Sequence, residues 1–413
     1  MTLRFLAMPL AFTLLAGGQG RSTSTPPQQP QQPVFRESVD VVQMDVIVRD
    51  DKNRFVPGLT AADFAVFEDG VRQSISVFRP FVGGRDMNVA SGTGATPSRS
   101  GLILPPRARA DTTGRVFIVF IDDLNFQFKN TSQVRRIMDL IKTVVQEEDL
   151  VGYVSSGYSS IQTDLVHDYG YKHLEEAMRK TSGSGMDSKQ IIAAAQSSQG
   201  PVGLRYMAHT AMRTANDIVD NLSSLRGVRK SFLYISEGYN FDPYAESRLK
   251  AEQERYGLPS NPSDGADTGM TRTSPFQKPG QQFSEADLTA DLAELIRHAN
   301  RSNVAFYTID PRGLSAGPDI DEQVSMKEHR EHMVVSVNSL RAIAENTGGQ
   351  CICETNDFKG GLARINDETS DYYMLGYSST NRDPTDRVRL IRIEMQKPGI
   401  TAKYRTEYTL PKK

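Results

Sequence analysis

Asp122, Asp123 and Asn125 stand together at the end of an apolar run, Val116 to Ile121, in GRVFIVFIDDLN, and Ser236 and Glu237 end a second run in RKSFLYISEGYN. Carboxylates beside short oxygen-bearing side chains are the ligands a hard divalent cation such as Mg or Ca selects. All five are therefore candidate ligand-binding residues, with Asp122 and Glu237 the candidate metal ligands. A cation held by Asp122, Asp123 and Glu237 could also activate water, the chemistry of a metal-dependent hydrolase. Asp122, Asp123 and Asn125 have a second reading, in which they accept backbone N–H bonds, cap the following helix and pin the loop. Both readings stand on the sequence.

The elements that position them follow from periodicity. A short run of Val, Ile and Phe bounded by polar residues reads as a strand buried on both faces, typical of a central parallel strand. Its C-terminal edge is where open α/β sheets bind ligands. LVGYVSSG, SFLYIS and NVAFYTID repeat the pattern, and QCICE closes the series. Helical spacing follows the first strand in Val134, Ile137, Met138, Ile141 and Val145, with Thr131 or Ser132 as N-cap. It recurs at Lys172–Lys180, at Leu204, Met207, Ala211, Ala215, Ile218 and Leu222, in a helix begun by Ser284 and Asp287, and from Val334 to Glu345. Alternating strands and helices predict an α/β domain over 114–368, a doubly wound, mostly parallel sheet with helices on both faces.

Two flanking regions alternate at period two. VVQMDVIV and the Asp69-Gly70 hairpin signal define a β unit over 35–81, and DYYMLGY, VRLIRIEM and AKYRTEY define strands over 369–413. Packing the two together in a small β-sandwich leaves the fewest exposed edges. Residues 82–113 read as a linker, 181–200 as a Ser/Gly-rich loop and 242–282 as an insertion in the α/β domain.

The first 20 residues carry Arg4, an apolar segment and a small-residue end, the layout of a secretory signal peptide, and 21–34 form a Pro/Gln-rich flexible lead. The expectation is an exported, periplasmic, extracellular or envelope-associated chain with no membrane span after signal removal. A net charge of -2 over 413 residues, with acidic and basic residues mixed, argues against nucleic acid as a partner. Cys351 and Cys353 do not supply a metal site by themselves, and two buried thiols in a strand are favoured over a disulfide. The six histidines, His167, His173, His209, His298, His329 and His332, are dispersed and form no catalytic pattern.

In order and wording, VQMDVIVRDDKNRFVPGLTAADFAVFEDGVRQSI, VFIVFIDDLN, SFLYISEGYN, NVAFYTIDPRGL, LRAIAENTGGQC and DYYMLGYSS resemble the von Willebrand factor A-type (VWFA) fold. More narrowly, they resemble a bacterial group of secreted proteins with a VWFA-related domain, typified by acidobacteria. The resemblance covers most of the mature chain. It implies a metal-dependent adhesion site in which an Asp-x-Ser-x-Ser motif, a later Thr and a later Asp bind a divalent cation. Asp122 takes the first position, but Leu124 and Phe126 replace the two Ser, Pro201, Val202 and Gly203 lie near the expected Thr, and Glu237-Gly238 replaces Asp-Gly. Leu and Phe cannot coordinate a cation, so the site is degenerate. The function expected is a non-enzymatic protein-binding or adhesion module with a protein or cell-surface ligand. The alternatives are the metal-dependent hydrolase and a ligand-free envelope scaffold.

Overall fold

The computed structural model describes residues 41–87, 102–103, 115–157, 163–196, 202–225, 228–241, 243, 279–318, 324–381, 383 and 388–410. The expected signal peptide and lead, most of the 82–113 linker and most of the 242–282 insertion lie outside them.

Strand β1 (Val41–Asp50) leads into β2 (Phe64–Glu68), β3 (Val71–Gln73), β4 (Ile75–Val82) and β5 (Arg85–Asp86). Asp69 and Gly70 both have positive φ, 48° and 81°, the backbone a two-residue hairpin needs between β2 and β3. β5 is a correction to the linker's start: the chain turns through Gly83 and Gly84 and pairs Arg85 back on Val82. Next come β6 (Leu102–Ile103), β7 (Val116–Ile121), helix α1 (Thr131–Leu140), β8 (Leu150–Ser155), β9 (Thr163–Asp164), β10 (Val166–His167), α2 (Lys172–Lys180), α3 (Ser188–Gln196), α4 (Val202–Leu222) and β11 (Lys230–Ile235). They are followed by α5 (Pro279–Arg301), β12 (Val304–Ile309), α6 (Met326–Asn346), β13 (Cys351–Ile352), α7 (Phe358–Ser370), β14 (Tyr372–Ser378), β15 (Val388–Met395), β16 (Ile400–Lys403) and β17 (Glu407–Thr409).

The central sheet has the order β10-β8-β7-β11-β12-β13, parallel except for β10. Strand order reverses between β7 and β11, so the Asp122 and Ser236 ends flank the switch point of the sheet. Every residue of β7, β11 and β12 is buried. One core packs their even-numbered residues, Ile118, Phe120, Phe232, Tyr234 and Phe306, against α4, α5 and α6. The other packs Phe117, Val119, Ile121, Leu233 and Tyr307 against α1, α2 and α7. Helices thus cover both faces, as the continuous apolar runs require.

The two antiparallel sheets, β16-β1-β14-β4-β5 and β17-β15-β2-β3, share a core of Met44, Val46, Phe64, Val66, Leu375, Ile391 and Ile393. Sequence-distant strands meet here: β1 pairs with β14 and β2 with β15. This unit meets the central sheet at the N-terminal ends of its strands. Asn303 donates to Asp45 at 3.0 Å, Arg229 lies 3.6 Å from the same carboxylate, and Lys403 binds both oxygens of Glu368 at 2.9 Å.

Several local expectations are corrected. α3 lies inside the expected 181–200 loop, because SKQIIAAAQ is made of good helix formers. The N-cap of α1 is Asn130, not Thr131 or Ser132, and makes no side-chain cap bond. α5 begins at Pro279, so Ser284 is inside the helix rather than at its cap. α6 begins at Met326, where Ser325 and Glu328 form a capping box. α7 was not expected: Gly360 and Gly361 weaken its signal, while Asp357 caps it by accepting from Gly360 N at 2.9 Å. Cys351 and Cys353, expected as thiols, are joined in a disulfide.

Candidate functional site

The switch point gathers all five sequence-predicted residues at one edge, then sends their carboxylates in three directions. Asp122 is 0% exposed. Its Oδ1 accepts from Asn125 Nδ2 at 2.9 Å, and its Oδ2 accepts from Ser236 Oγ at 2.7 Å and Tyr239 OH at 3.0 Å. The Tyr234 hydroxyl reaches the same oxygen at 3.5 Å and hydrogen-bonds with Tyr239. Burial pushes the Asp122 carboxyl above the usual carboxylate range, opposed by its bonds from Asn125, Ser236 and Tyr239.

Asp123 turns the other way, toward the end of β8. Its Oδ1 accepts from Ser156 Oγ at 2.9 Å and Gly157 N at 3.0 Å, while its carbonyl accepts from Ser184 N at 2.8 Å. Glu237 turns toward the start of α1, where Oε1 accepts from Gln127 N at 2.9 Å and Asn130 Nδ2 at 2.6 Å. Burial raises its pKa too, and Arg312 opposes the rise. Arg312 itself is packed against Asp310, donating to Oδ1 at 2.9 Å and to Oδ2 at 2.7 Å, and donates to the Glu237 carbonyl at 2.7 Å. The chain after β12 is thereby tied to the chain after β11.

This donor set does not fit a divalent cation. A hard cation needs several convergent oxygens and negative charge to balance it, whereas each of these carboxylates already accepts protein N–H or O–H groups. Among the described residues no three His, Cys, Asp or Glu side chains converge. The residues at the two positions where the resemblance implies Ser explain the departure. Phe126 is a fully buried core residue, wedged so tightly that a Cβ on Gly183 or Gly185 would lie 2.5 or 2.8 Å from its carbonyl oxygen. Leu124 turns instead toward a cavity. Of the second sequence reading, Asp123 does accept a backbone N–H, from Gly157, whereas Asp122 accepts from side chains, and neither is the cap of α1.

The cavity, about 60 Å³, opens beside Asn125 and Glu237. Leu124, Met186, Ile191, Leu204, Met207 and Tyr239 give it apolar walls, with Asn240, Arg205 and His332 as polar points. Arg205 is paired with Asp287 at 2.9 Å. Burial pushes the His332 imidazole down to about 3, so it is neutral at physiological pH. Nearby, Ser315 Oγ donates to the Gly317 carbonyl at 3.2 Å and meets His329 Nε2 at 3.1 Å.

Sequence reasoning missed Tyr239, Tyr234, Ser156, Asn130 and the Arg312–Asp310 pair. Tyr234 and Tyr239 read as ordinary strand aromatics, and a hydroxyl aimed at a carboxylate on a neighbouring strand leaves no local signal. The Asp-Pro-Arg run after the fourth strand was visible, but its partner, the Glu237 carbonyl, is 75 residues away in sequence. The chain matches no protein-family profile and no curated protein.

Proposed function

We propose that this chain is an exported, non-enzymatic protein-binding module, related to the VWFA-containing secreted proteins it resembles. It engages a protein or cell-surface ligand through the switch-point edge of its central sheet, without a metal ion. One observation carries the reading. Phe128, Tyr206, Leu314 and Met326 are 73%, 69%, 66% and 54% exposed, and all four lie in segments that begin at this edge. The helices run back antiparallel to the strands, so the start of α4 with Tyr206, the start of α6 with Met326, and the turns after β7 and β12 share one end. Exposed aromatic and Met side chains around an apolar recess have the composition of an interface core, where a few such anchors dominate affinity.

The hydrolase reading needs a cation that the carboxylates do not accommodate, and the scaffold reading leaves the exposed rim without a role. Among the described residues no helix is long and apolar enough to cross a membrane. The test compares capture from envelope extracts by the parent chain, by Phe128→Ala/Tyr206→Ala, and by Val388→Ala on the β unit, each with and without a chelator. The rim variant should lose its captured protein at unchanged thermal stability, while Val388→Ala and the chelator change nothing. Capture by the rim variant equal to the parent's would refute the assignment of this face.

A further inference from the structure

The Cys351–Cys353 disulfide lies at the outer edge of the central sheet, apart from the switch point. It closes a ring across a single intervening residue, Ile352, with the two Cα atoms 5.4 Å apart. A cross-link stabilises a fold by restricting the unfolded chain, and that effect grows with loop length. A loop this short gives the weakest such restraint, so the bond is poorly explained as a staple.

The backbone holds the two cysteines together independently of the bond. Residues two apart in extended chain face the same side; Cys351 lies in β13 and Cys353 directly follows it, and the stretch is held by Thr308 N donating to the Gln350 carbonyl at 3.2 Å and Asp310 N to the Ile352 carbonyl at 3.0 Å. Ile352 is buried, and its side chain seats so closely on α7 that a Cβ on Gly361 would lie 2.6 Å from its Cδ1. Cys351 and Cys353 point to the opposite side, partly buried against the α6 layer. If the bond opens, these contacts keep the thiols adjacent.

We propose that Cys351 and Cys353 form a reversible thiol–disulfide exchange site, whose exchange partner is a thiol. A thiolate attacks one of the two sulfurs, forming a mixed disulfide as the Cys351–Cys353 bond breaks and the other cysteine leaves as a thiolate. A second thiol of the reductant, as its thiolate, attacks the reductant sulfur of the mixed disulfide. This closes the reductant's own disulfide and releases the second cysteine. Two electrons pass to the protein, two reductant thiols are oxidised, and the cysteine thiolates take up the two protons. Exposed disulfides belong to the labile class in which such exchange occurs, and this one is partly exposed.

The test equilibrates the folded full-length chain with glutathione redox buffers and counts thiols by alkylation and mass. Both cysteines should titrate together, reversibly, as one two-electron step, and Cys353→Ser should form a mixed disulfide with glutathione at Cys351. The equilibrium constant for ring closure should be roughly tenfold larger in the native chain than in the same chain in guanidinium, because β13 presents the thiols to each other. The oxidised and reduced forms should then differ in thermal midpoint by only a few degrees. Reduction that occurs only in denaturant, collapse of the fold on reduction, or a ring-closure constant no larger in the native chain than in guanidinium would each overturn the proposal. Glutathione serves as the small-molecule probe. Reduction by a dithiol protein but not by glutathione or dithiothreitol would likewise overturn it, since the proposed exchange requires only a thiol.

Discussion

Replacing Asp122 by Ala separates the two chemistries its position suggests. In the folded chain this carboxylate accepts from Asn125, Ser236 and Tyr239 in a site closed to solvent. Each buried donor left without an acceptor costs about 1–3 kcal/mol. Asn125 keeps a second acceptor, the Met207 carbonyl at 3.3 Å, and Tyr239 keeps Tyr234, which limits the loss. The net destabilisation is about 3–5 kcal/mol. At about 2–4 °C per kcal/mol for a domain of this size, the thermal midpoint should fall by about 10 °C. The parent chain should show no change in midpoint with Mg, Ca or Mn at constant ionic strength. A cation held by the native state would instead add about 2.7 kcal/mol at a concentration a hundred times its Kd. Burial raises the Asp122 pKa above its unfolded value, so the native chain binds the proton more tightly. This group's contribution to stability therefore falls as pH rises from the ordinary carboxylate range through the folded pKa, and Asp122→Asn should lose that slope. A loss below about 1 kcal/mol in Asp122→Ala, or a divalent-cation-dependent midpoint in the parent, would refute the hydrogen-bonded hub.

Other parts of the molecule make equally direct predictions. Gly238 has φ 81°, and a Cβ there would lie 2.2 Å from the Ser336 carbonyl oxygen, so Gly238→Ala should cost more than about 2 kcal/mol in chemical denaturation. Arg115 and Asp149 form a buried ion pair at 2.5 Å, and Arg115→Met should destabilise by about 3–5 kcal/mol by removing the guanidinium buried against the carboxylate, measured in the same way. Burial lowers Lys230 to about 8, opposed by Asp45. Below that pH both folded and unfolded chains carry the proton. Above it the native chain loses the proton first, so stability should rise with pH from about 8 toward the unfolded lysine pKa of about 10.4. Lys230→Met should remove that rise in a pH series of denaturation curves.

The alternation of apolar runs and helical stripes determined the α/β class, and the place of Asp122 and Ser236 at strand ends, because those periods are local and survive without knowledge of any partner. Val116–Ile121 needed only its own composition to be read as a central strand. Period-two alternation likewise identified β1 and β15, though their partners are supplied by the opposite end of the chain. What tertiary structure alone decided is where each polar side chain points. Asp122, Asp123 and Glu237 all stand at the ends of apolar runs in the sequence, yet each is oriented by donors brought in from other strands and loops: Tyr239 and Ser236, Ser156 and Gly157, Gln127 and Asn130. Weak local signals also hid elements, as with α7 behind Gly360-Gly361 and α3 inside a Ser/Gly-rich stretch. The bond between Cys351 and Cys353 is of the same kind. Spacing brings the sulfurs within reach, but the packing of Ile352 and the pairing of β13 with β12 place them side by side. A hydrogen bond or disulfide is set by distance and direction in space, and neither is carried by residue type or period alone.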